Sequence, residues 1–306
     1  MPLLECVANV SEGRDEEVLA RAARSCGQWL VDLHRDTWHH RAVFTLAGPP
    51  AAVELACRRL ARFVVRSVDL RSHQGVHPRL GALDVVPFVA LNWLPVEGRV
   101  EAGPDLGPAT AARDRFAHWA AATLGVPCFL YGPLDSREGA PDGSGHRSGT
   151  ERALPEVRRD AFGRLEPDMG PLHPHPTAGA IAVGARPLLV AYNVWLGGCG
   201  VRTARRIAAA IRSPAVRALG FDIGGVAQVS CNLVEPASYG PAEVYDEVAR
   251  LAALAGAGPV RGELVGLLPA SVLHAVPERR WPELGLAATA TLEARLAAAF
   301  ADVSPR

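Results

Sequence analysis

The segment Arg71-Ser-His-Gln-Gly-Val-His-Pro-Arg-Leu-Gly-Ala-Leu-Asp-Val-Val-Pro-Phe88 joins a loop broken by glycine and proline to an apolar run that continues to Leu91. The run Leu83–Leu91 predicts a buried strand, because it is short, continuous and rich in aliphatic residues. A loop that is joined directly to a rigid strand holds its polar side chains in fixed positions. The segment therefore predicts both a core strand and the place of a functional site.

Two side chains of this loop, His77 and Arg79, are candidates for chemistry. Pro78 favours an extended backbone at His77, and residues two apart in an extended chain point to the same side. An imidazole titrates near neutral pH, whereas a guanidinium stays charged. The pair suits acid/base chemistry on an anionic substrate. A loop histidine that only bonds a backbone carbonyl is the alternative.

Composition limits the classes of protein to which this chain can belong. Its 306 residues suggest two domains or a duplicated unit. Hydrophobic residues make up 49% and charged residues 21%, which predicts a sizeable core. The formal net charge is zero, so we expect no nucleic-acid partner and no acidic membrane surface. The sequence contains no lysine, which excludes Schiff-base lysine chemistry.

The six cysteines are scattered along the chain without a CxxC pair. This pattern predicts buried free thiols in a reducing cytoplasm instead of a disulfide framework. The N-terminus has neither the basic segment nor the long apolar segment of a signal peptide. No uncharged run reaches membrane-spanning length. We therefore expect a cytoplasmic protein with no membrane partner.

The first half of the chain predicts the order strand–helix–strand–strand–helix–strand, followed by one more helix and strand. The strands are expected at Leu3–Val10, Trp29–Leu33, Ala42–Leu46, Leu83–Leu91 and Pro127–Tyr131. The helices are expected at Asp15–Cys26, about 50–67 and Ala109–Leu124. The stretch Leu154–Leu165 has some helical character.

The second half repeats this rhythm. Strands are expected at Gly179–Val183, Leu188–Trp195, Phe221–Ile223, Val226–Leu233 and Gly262–Leu268, and helices at Val201–Leu219 and Pro241–Ala255. Pro214 is expected to kink or end the first of these helices, and Gly224-Gly225 to form a hairpin turn. Two split-βαβ units in series predict an α+β fold of two ferredoxin-like subdomains, each a largely antiparallel sheet with helices packed on one face.

Two irregular segments lie between the halves. Ser136–Glu151 is rich in Gly, Ser, Pro and charge, which predicts a surface loop. The segment Pro167-Asp-Met-Gly-Pro-Leu-His-Pro-His-Pro-Thr-Ala-Gly179 holds four prolines and predicts a stiff connector. We place the domain boundary there, with subdomains at 1–172 and 173–306. A connector between two domains is a natural wall for a ligand cleft.

Several motifs in this order resemble the formiminotransferase family over nearly the whole chain. Examples are Cys6-Val-Ala-Asn-Val-Ser-Glu-Gly13, Gly75-Val-His-Pro-Arg-Leu-Gly-Ala-Leu-Asp-Val85, Pro167-Asp-Met-Gly-Pro171 and Gly184-Ala-Arg186. The stretch from His77 to Asp84 is the most specific of them. The resemblance implies two αβ subdomains that flank a folate site, and a transferase of one-carbon metabolism and histidine catabolism.

The resemblance further implies transfer of a formimino group from N-formimino-L-glutamate to N5 of tetrahydrofolate. His77 matches the family's general acid/base, and tetrahydrofolate is a co-substrate, with no metal expected. Related chains make a homodimer plausible. The substrate-binding candidates are Arg41, Arg79, Arg186, Asn9 and Ser11. The folate-contacting stretch matches Gly170, Pro171, Leu172, His173, Pro174, His175, Thr177, Ala178 and Gly179.

Some positions leave alternatives open. Ser11 either lines the site or caps the following helix, and Asp84 either orients His77 or is structural. Gln228, Ser230 and Asn232 alternate along a strand, so they share one face that lies toward the ligand or toward solvent. Gln74 and Val76 stand where the family usually carries charged residues.

Three other functions compete with this one. The residues at 74 and 76 leave open a folate-dependent transferase that uses another formimino or formyl donor, and a folate-binding protein without catalysis. A metal-dependent hydrolase is a third alternative, since His39-His40, His73 with His77, and His173 with His175 are paired imidazoles. The sequence lacks HExxH and a carboxylate at a matching spacing, which argues against it.

Overall fold

The computed structural model describes residues 1–76, 79–94, 97–103, 105–134 and 151–301. Within these ranges the chain forms two β-sheets, each packed against helices. This arrangement confirms the predicted α+β class and the split-βαβ architecture. The segment 136–150, predicted as a surface loop, lies outside the described residues, and so do His77 and Pro78.

The first sheet has eight strands within the described ranges, in the order β2-β3-β1-β4-β8-β6-β7, with β5 paired to β4. Their bounds are β1 Pro2–Val10, β2 Leu30–Asp36, β3 Arg41–Gly48, β4 Leu83–Leu94, β5 Arg99–Ala102, β6 Cys128–Pro133, β7 Glu151–Arg152 and β8 Ile181–Ala185. Most neighbours are antiparallel, whereas β8 runs parallel to both β4 and β6.

Three long helices cover one face of this sheet: α1 Glu16–Cys26, α2 Pro50–Ser67 and α3 Gly107–Leu124. The Asp15 side chain caps α1 by accepting a hydrogen bond from the Val18 amide at 2.9 Å. A proline in the first turn begins α2 and α3, where its missing N–H costs nothing. The helices pack on the even-numbered residues of β1, Leu4 to Val10. The odd-numbered residues of β1 therefore face the other side.

The second sheet has the order β10-β11-β9-β12, and all its neighbours are antiparallel. Its strands are β9 Val190–Gly197, β10 Val216–Ile223, β11 Val226–Leu233 and β12 Gly258–Val265. The remaining helices are α4 Leu154–Asp160, α5 Val201–Ala210, α6 Pro241–Ala253, α7 Ala270–His274, α8 Trp281–Leu284 and α9 Leu292–Ala301. Residues of α5 and α6 form the core on one face of this sheet.

Two predictions for the second half are wrong. The helix predicted at Val201–Leu219 ends at Ala210, and residues 216–223 form strand β10. Pro214 cannot continue a helix, and the alternating burial of Val216 and Ala218 is a strand pattern. The strand predicted at Gly179–Val183 is β8, which belongs to the first sheet. The domain boundary at residue 172 stays a prediction. The hairpin turn at Gly224-Gly225 is confirmed, with φ of 61° and 88°.

The face of the first sheet opposite α1 to α3 lies toward the second sheet, and α9 and α4 also pack on it. We call the space between the two sheets the seam. His39, in the turn between β2 and β3, places Nε2 3.3 Å from Oε1 of Gln228 on β11. His34 on β2 lies 4.0 Å from the Glu263 carboxylate on β12. The Glu293 carboxylate on α9 accepts hydrogen bonds from the amides of Val100 and Ala270. These contacts hold the two units together.

The cysteines carry free thiols, and all are buried except Cys199, which is half-buried. This confirms the prediction of unpaired thiols. Within the described ranges, no helix is both long and apolar enough to cross a bilayer.

Candidate functional site

The outer end of the seam carries most of the predicted site residues. It is formed by the residues that follow β1, the turn between β2 and β3, residues 70–76 and 79–84, and loop 175–180. His77, the predicted acid/base, lies outside the described residues. The described residues on either side of it, Val76 and Arg79, lie at the outer end.

The loop before position 77 packs tightly on the turn between β2 and β3. The rings of His40 and His73 stack with centroids 4.0 Å apart, and Nη1 of Arg79 lies 3.1 Å from Nε2 of His73. Gly75 lies so close to the His39 carbonyl and the His40 side chain that a Cβ would collide with both. Glycine is therefore required at position 75 for this close approach.

Asp84 is the centre of charge at the outer end. Its side chain is 2% exposed, accepts a hydrogen bond from the Leu80 amide at 2.5 Å and pairs with Arg158 at 2.6 Å. Burial lowers the pKa of Arg41 and of Arg79, while the nearby Asp84 carboxylate raises the pKa of both. The structure thus brings Arg41 and Arg79 close to one buried carboxylate. Sequence reasoning did not identify Arg158.

Asn9 lies on β1, and Ser11 directly follows this strand. The Ser11 hydroxyl donates to the Gly81 carbonyl at 2.7 Å, and its amide donates to the Ala82 carbonyl. Ser11 therefore anchors the segment that carries position 77. The alternative that Ser11 caps α1 is wrong, because Asp15 is the cap. Asn9 is half-buried on the seam side and donates to the Val7 carbonyl at 3.2 Å.

The predicted folate-contacting stretch has two parts. Gly170 has φ of 94°, residues 171–174 are exposed, and Leu172 is 61% exposed. The second part is a tight turn, in which His175 and Gly179 exchange backbone hydrogen bonds and His175 Nδ1 accepts from the amides of Thr177 and Ala178. The carbonyls of Thr177 and Ala178 accept from the amides of Leu70 and Ala82. The turn thus lies against both flanks of position 77.

Arg186 lies away from the other two arginines. It follows β8, and its amide donates to the Phe88 carbonyl at 3.1 Å. Its Nη1 donates to the Pro187 carbonyl at 2.9 Å. By strand register Arg186 is level with Glu5. Glu5 lies six residues before Ser11, a separation of about 20 Å along the strand at roughly 3.3 Å per residue. We call this region, with Glu5, Tyr131 and Arg186, the inner end of the seam.

Glu5 is a seam residue that sequence reasoning missed. It is 4% exposed, and burial raises the pKa of its carboxyl to about 7 while the positive charge of Arg186 opposes this. The available signal was a single charged residue within the apolar run of β1, at a position that alternates with the helix-facing residues. Such a residue is buried and faces away from the helices.

The second sheet presents polar groups to the seam. Glu263 accepts hydrogen bonds from Asn193 Nδ2 at 3.0 Å and from Trp195 Nε1 at 2.8 Å. Gln228 is buried against His39. Ser230 and Asn232 follow on the same face of β11, and Asn232 is exposed. This polar row therefore lies partly in the seam and partly in solvent.

Two buried polar atoms of the seam have no hydrogen-bond partner among the described residues, Gln228 Nε2 and Thr45 Oγ1. Leaving such groups unpaired costs free energy, so each needs a water or a ligand. They come from opposite sheets. The described ranges contain no group of three or more His, Cys, Asp or Glu that could hold a metal.

Comparison with known proteins gives consistent results. Residues 3–186 match the family model of the formiminotransferase domain, N-terminal subdomain. The chain is 32% identical to glutamate formimidoyltransferase of Streptococcus pyogenes serotype M1, over 90% of this chain and 92% of that protein. It is 31% identical to glutamate formimidoyltransferase of Thermoplasma acidophilum, over 89% and 90% respectively. It is 33% identical to formimidoyltransferase-cyclodeaminase of Sus scrofa, over 89% of this chain and 51% of that protein. The chain belongs to the formiminotransferase family.

Proposed function

We propose that this protein transfers the formimino group of N-formimino-L-glutamate to N5 of tetrahydrofolate. The observation that carries the proposal is the similarity to a glutamate formimidoyltransferase along 90% of this chain and 92% of that protein. Since the match extends over both chains, it includes both sheets and the seam between them. Tetrahydrofolate serves as co-substrate.

Guanidinium groups supply the charge that the two ligands need. Both ligands carry carboxylates, which pair with arginine in a planar fork. Arg41 and Arg79 at the outer end, and Arg186 at the inner end, are the groups that bind these carboxylates. Asn9 and Ser11 line the outer end, and residues 170–179 contact the folate. The unpaired polar atoms of Thr45 and Gln228 support a polar ligand within the seam.

His77 moves the proton in this proposal. N5 of tetrahydrofolate attacks the amidinium carbon and loses a proton to the neutral imidazole. The resulting imidazolium donates that proton to the glutamate nitrogen, the carbon–nitrogen bond to glutamate breaks, and 5-formiminotetrahydrofolate remains. One imidazole with a pKa near neutrality can perform both steps in turn. The support comes from the described residues on either side of position 77. Gly75 lies against His39 and His40, and Arg79 lies near Asp84.

The organisation of the chain follows from the same proposal. Residues 1–172 carry the acid/base, and residues 173–306 complete the folate site as a second subdomain. A cytoplasmic location follows from the free, mostly buried thiols. A homodimer is the oligomeric state that we expect.

The direct test is turnover by the purified full chain. Mixing it with tetrahydrofolate and N-formimino-L-glutamate should change the folate absorbance and release one glutamate for each formiminotetrahydrofolate formed. A parallel assay with N-formyl-L-glutamate tests the donor. Turnover with the formyl donor alone would show that the donor is misassigned, and binding of tetrahydrofolate without turnover of either donor would show a folate-binding protein without this activity.

A further inference from the structure

Glu5 lies in surroundings that do not satisfy a carboxyl group. It is on β1, in the middle of the first sheet, and faces the seam. Its strand neighbours are Ala47 on β3 and Val89 on β4, which belong with Leu3 to an apolar cluster. Burial and the charge of Arg186 are the influences on the carboxyl, and among the described residues it has no hydrogen-bond or ion-pair partner.

Arg186 is positioned to act together with Glu5. The Tyr131 ring lies directly on the backbone of Gly184, and Arg186 lies close enough to its phenol to oppose the effect of burial on the phenol pKa. The second contact of the guanidinium is to the Pro187 carbonyl through Nη1. A guanidinium has five N–H donors, so these contacts leave donors for a ligand. The side chain is half-buried and therefore accessible.

A ligand carboxylate is the group that fits between these two residues. Arg186 supplies positive charge and hydrogen-bond donors, and a protonated Glu5 supplies one O–H donor to the same carboxylate. An ionised Glu5 would instead repel that carboxylate and compete for Arg186. The inner end lies about 20 Å along the strand from the outer end, so the ligand must be long, with its reacting atom at one end and its carboxylate at the other.

We propose that protonated Glu5 and Arg186 together form the subsite that binds the glutamyl carboxylate of tetrahydrofolate at the inner end of the seam. This inference rests on the proposed function, because it takes the long ligand to be tetrahydrofolate with N5 near position 77. Glu5 is then a residue that determines affinity for the folate tail. It takes no part in the transfer step.

The subsite makes tail binding depend on pH. Burial raises the pKa of Glu5 to about 7. Below neutrality the carboxyl therefore keeps its proton and can donate a hydrogen bond, whereas above neutrality it is ionised. Another buried carboxyl lies on the same face of the first sheet: Asp32 on β2 has a pKa raised by burial and lies 3.6 Å from Arg295 on α9. Tyr131 has a pKa raised by burial to about 12 and stays protonated, and the nearby residues of α9 in the cluster, Leu292 and Leu296, are apolar.

The experiment compares two folates that differ only in the tail. KM is measured with saturating formimino donor for tetrahydrofolate and for tetrahydropteroate, which lacks the glutamyl group, at about pH 6 and about pH 8.5, on either side of the raised pKa of Glu5. The ratio of the two KM values removes the titration of groups near N5. For the wild type we expect the KM for tetrahydropteroate divided by the KM for tetrahydrofolate to be about tenfold lower at the higher pH. This is the effect of losing one charge-assisted hydrogen bond.

Glu5→Gln keeps a neutral hydrogen-bond donor, so its KM ratio should not change with pH. Glu54→Gln is the matched control, because Glu54 is a buried glutamate in the helix layer, paired with Arg115, and should keep the wild-type pH dependence. A pH-independent KM ratio in the wild type, measurable whether or not a variant folds, would overturn the inference while leaving the transferase proposal intact. No turnover by the wild type would overturn both.

Discussion

At the scale of single residues, burial decides the behaviour of the polar side chains. Glu12 lies in the motif Cys6–Gly13 and Glu5 directly precedes it, yet their surroundings differ. One oxygen of Glu12 accepts hydrogen bonds from the amides of Gly13, Arg14 and Asp15, so its charge is compensated. Glu5 is in an apolar cluster without such donors. The same residue type is therefore structural at one position and available for a ligand at the other.

The stability of the protein should depend on the proton of Glu5. Its pKa rises from 4.5 to about 7 on folding, so the native state keeps a proton that the unfolded state has lost between these values. Stability therefore falls as the pH rises through this window, by about 3 kcal/mol in total. Glu5→Gln should match the wild type below the window and be more stable above it, by up to that amount.

Urea unfolding at several pH values measures this effect. The exposed Glu17→Gln is the control and should follow the wild type throughout. An equal difference between Glu5→Gln and wild type on both sides of the window would show that the carboxyl titrates normally.

Loss of the imidazole at position 77 should reduce turnover and spare folate binding. We expect His77→Ala to lower kcat at least about 100-fold, the lower limit for a general acid/base. The measurement is the initial rate together with the Kd for tetrahydrofolate. His274→Ala, an exposed histidine on α7, should behave like the wild type. A kcat for His77→Ala near the wild-type value would contradict the assignment of His77 as the general acid/base.

At the scale of elements, strand β8 connects the functional segments. It pairs in parallel with β4 and β6, begins after the turn at 175–179 and leads into Arg186. The outer and inner ends of the seam are thus joined by one short strand. Its sequence, Ile-Ala-Val-Gly-Ala, is apolar because both of its faces are buried.

Gly184 on β8 is the position where a side chain should be least tolerated. A Cβ there would overlap the Tyr131 ring, which lies on this backbone. Gly184→Ala should therefore lower the free energy of unfolding by about 1–3 kcal/mol, as overpacking does, and weaken binding through Arg186. Gly258→Ala, in strand β12 with open space around it, is the control. Equal stabilities of the two variants by urea unfolding would contradict the close packing of Tyr131.

The elements also show what local patterns predict well. Strands β1 to β4 and β6 and helices α1 to α3 follow from apolar periodicity and from proline or carboxylate signals at the helix starts, whereas the short strands β5 and β7 were not predicted. The helix predicted at Val201–Leu219 was too long because β10, the strand after Pro214, is only partly buried and shows no continuous apolar run. Strand β8 was assigned to the second unit because parallel pairing with β4 and β6 leaves no local signal.

At the scale of the whole molecule, a small number of contacts sets the distance between the sheets. His39 is buried between Gln228 and Phe221, with ring centroids of His39 and Phe221 5.0 Å apart. Burial lowers the pKa of His39 below its ordinary 6.5. As the pH falls, the unfolded state binds this proton at a higher pH than the native state does. Stability therefore falls as the pH drops below 6.5.

Removing this contact should weaken the joint between the units. His39→Ala should be less stable than the wild type at neutral pH by about 1–3 kcal/mol and should lose stability less steeply toward acid pH. Urea unfolding over the range from weakly acid to neutral pH measures both effects. His118→Ala, an exposed histidine on α3, provides the reference. If the stability of His39→Ala fell toward acid pH as steeply as that of the wild type, another group would be responsible for the titration.

The sequence by itself determined the fold class, most elements of the first half and the family, because these depend on periodicity and on motifs that are continuous in the chain. It also indicated Arg41, Arg79 and Arg186 as anion-binding residues. Only the tertiary structure decided that Arg41 and Arg79 share the outer end with Asp84, while Arg186 lies at the inner end with Glu5. The physical reason is that burial and charge at these positions depend on which strands become neighbours, and residues distant in sequence provide those neighbours.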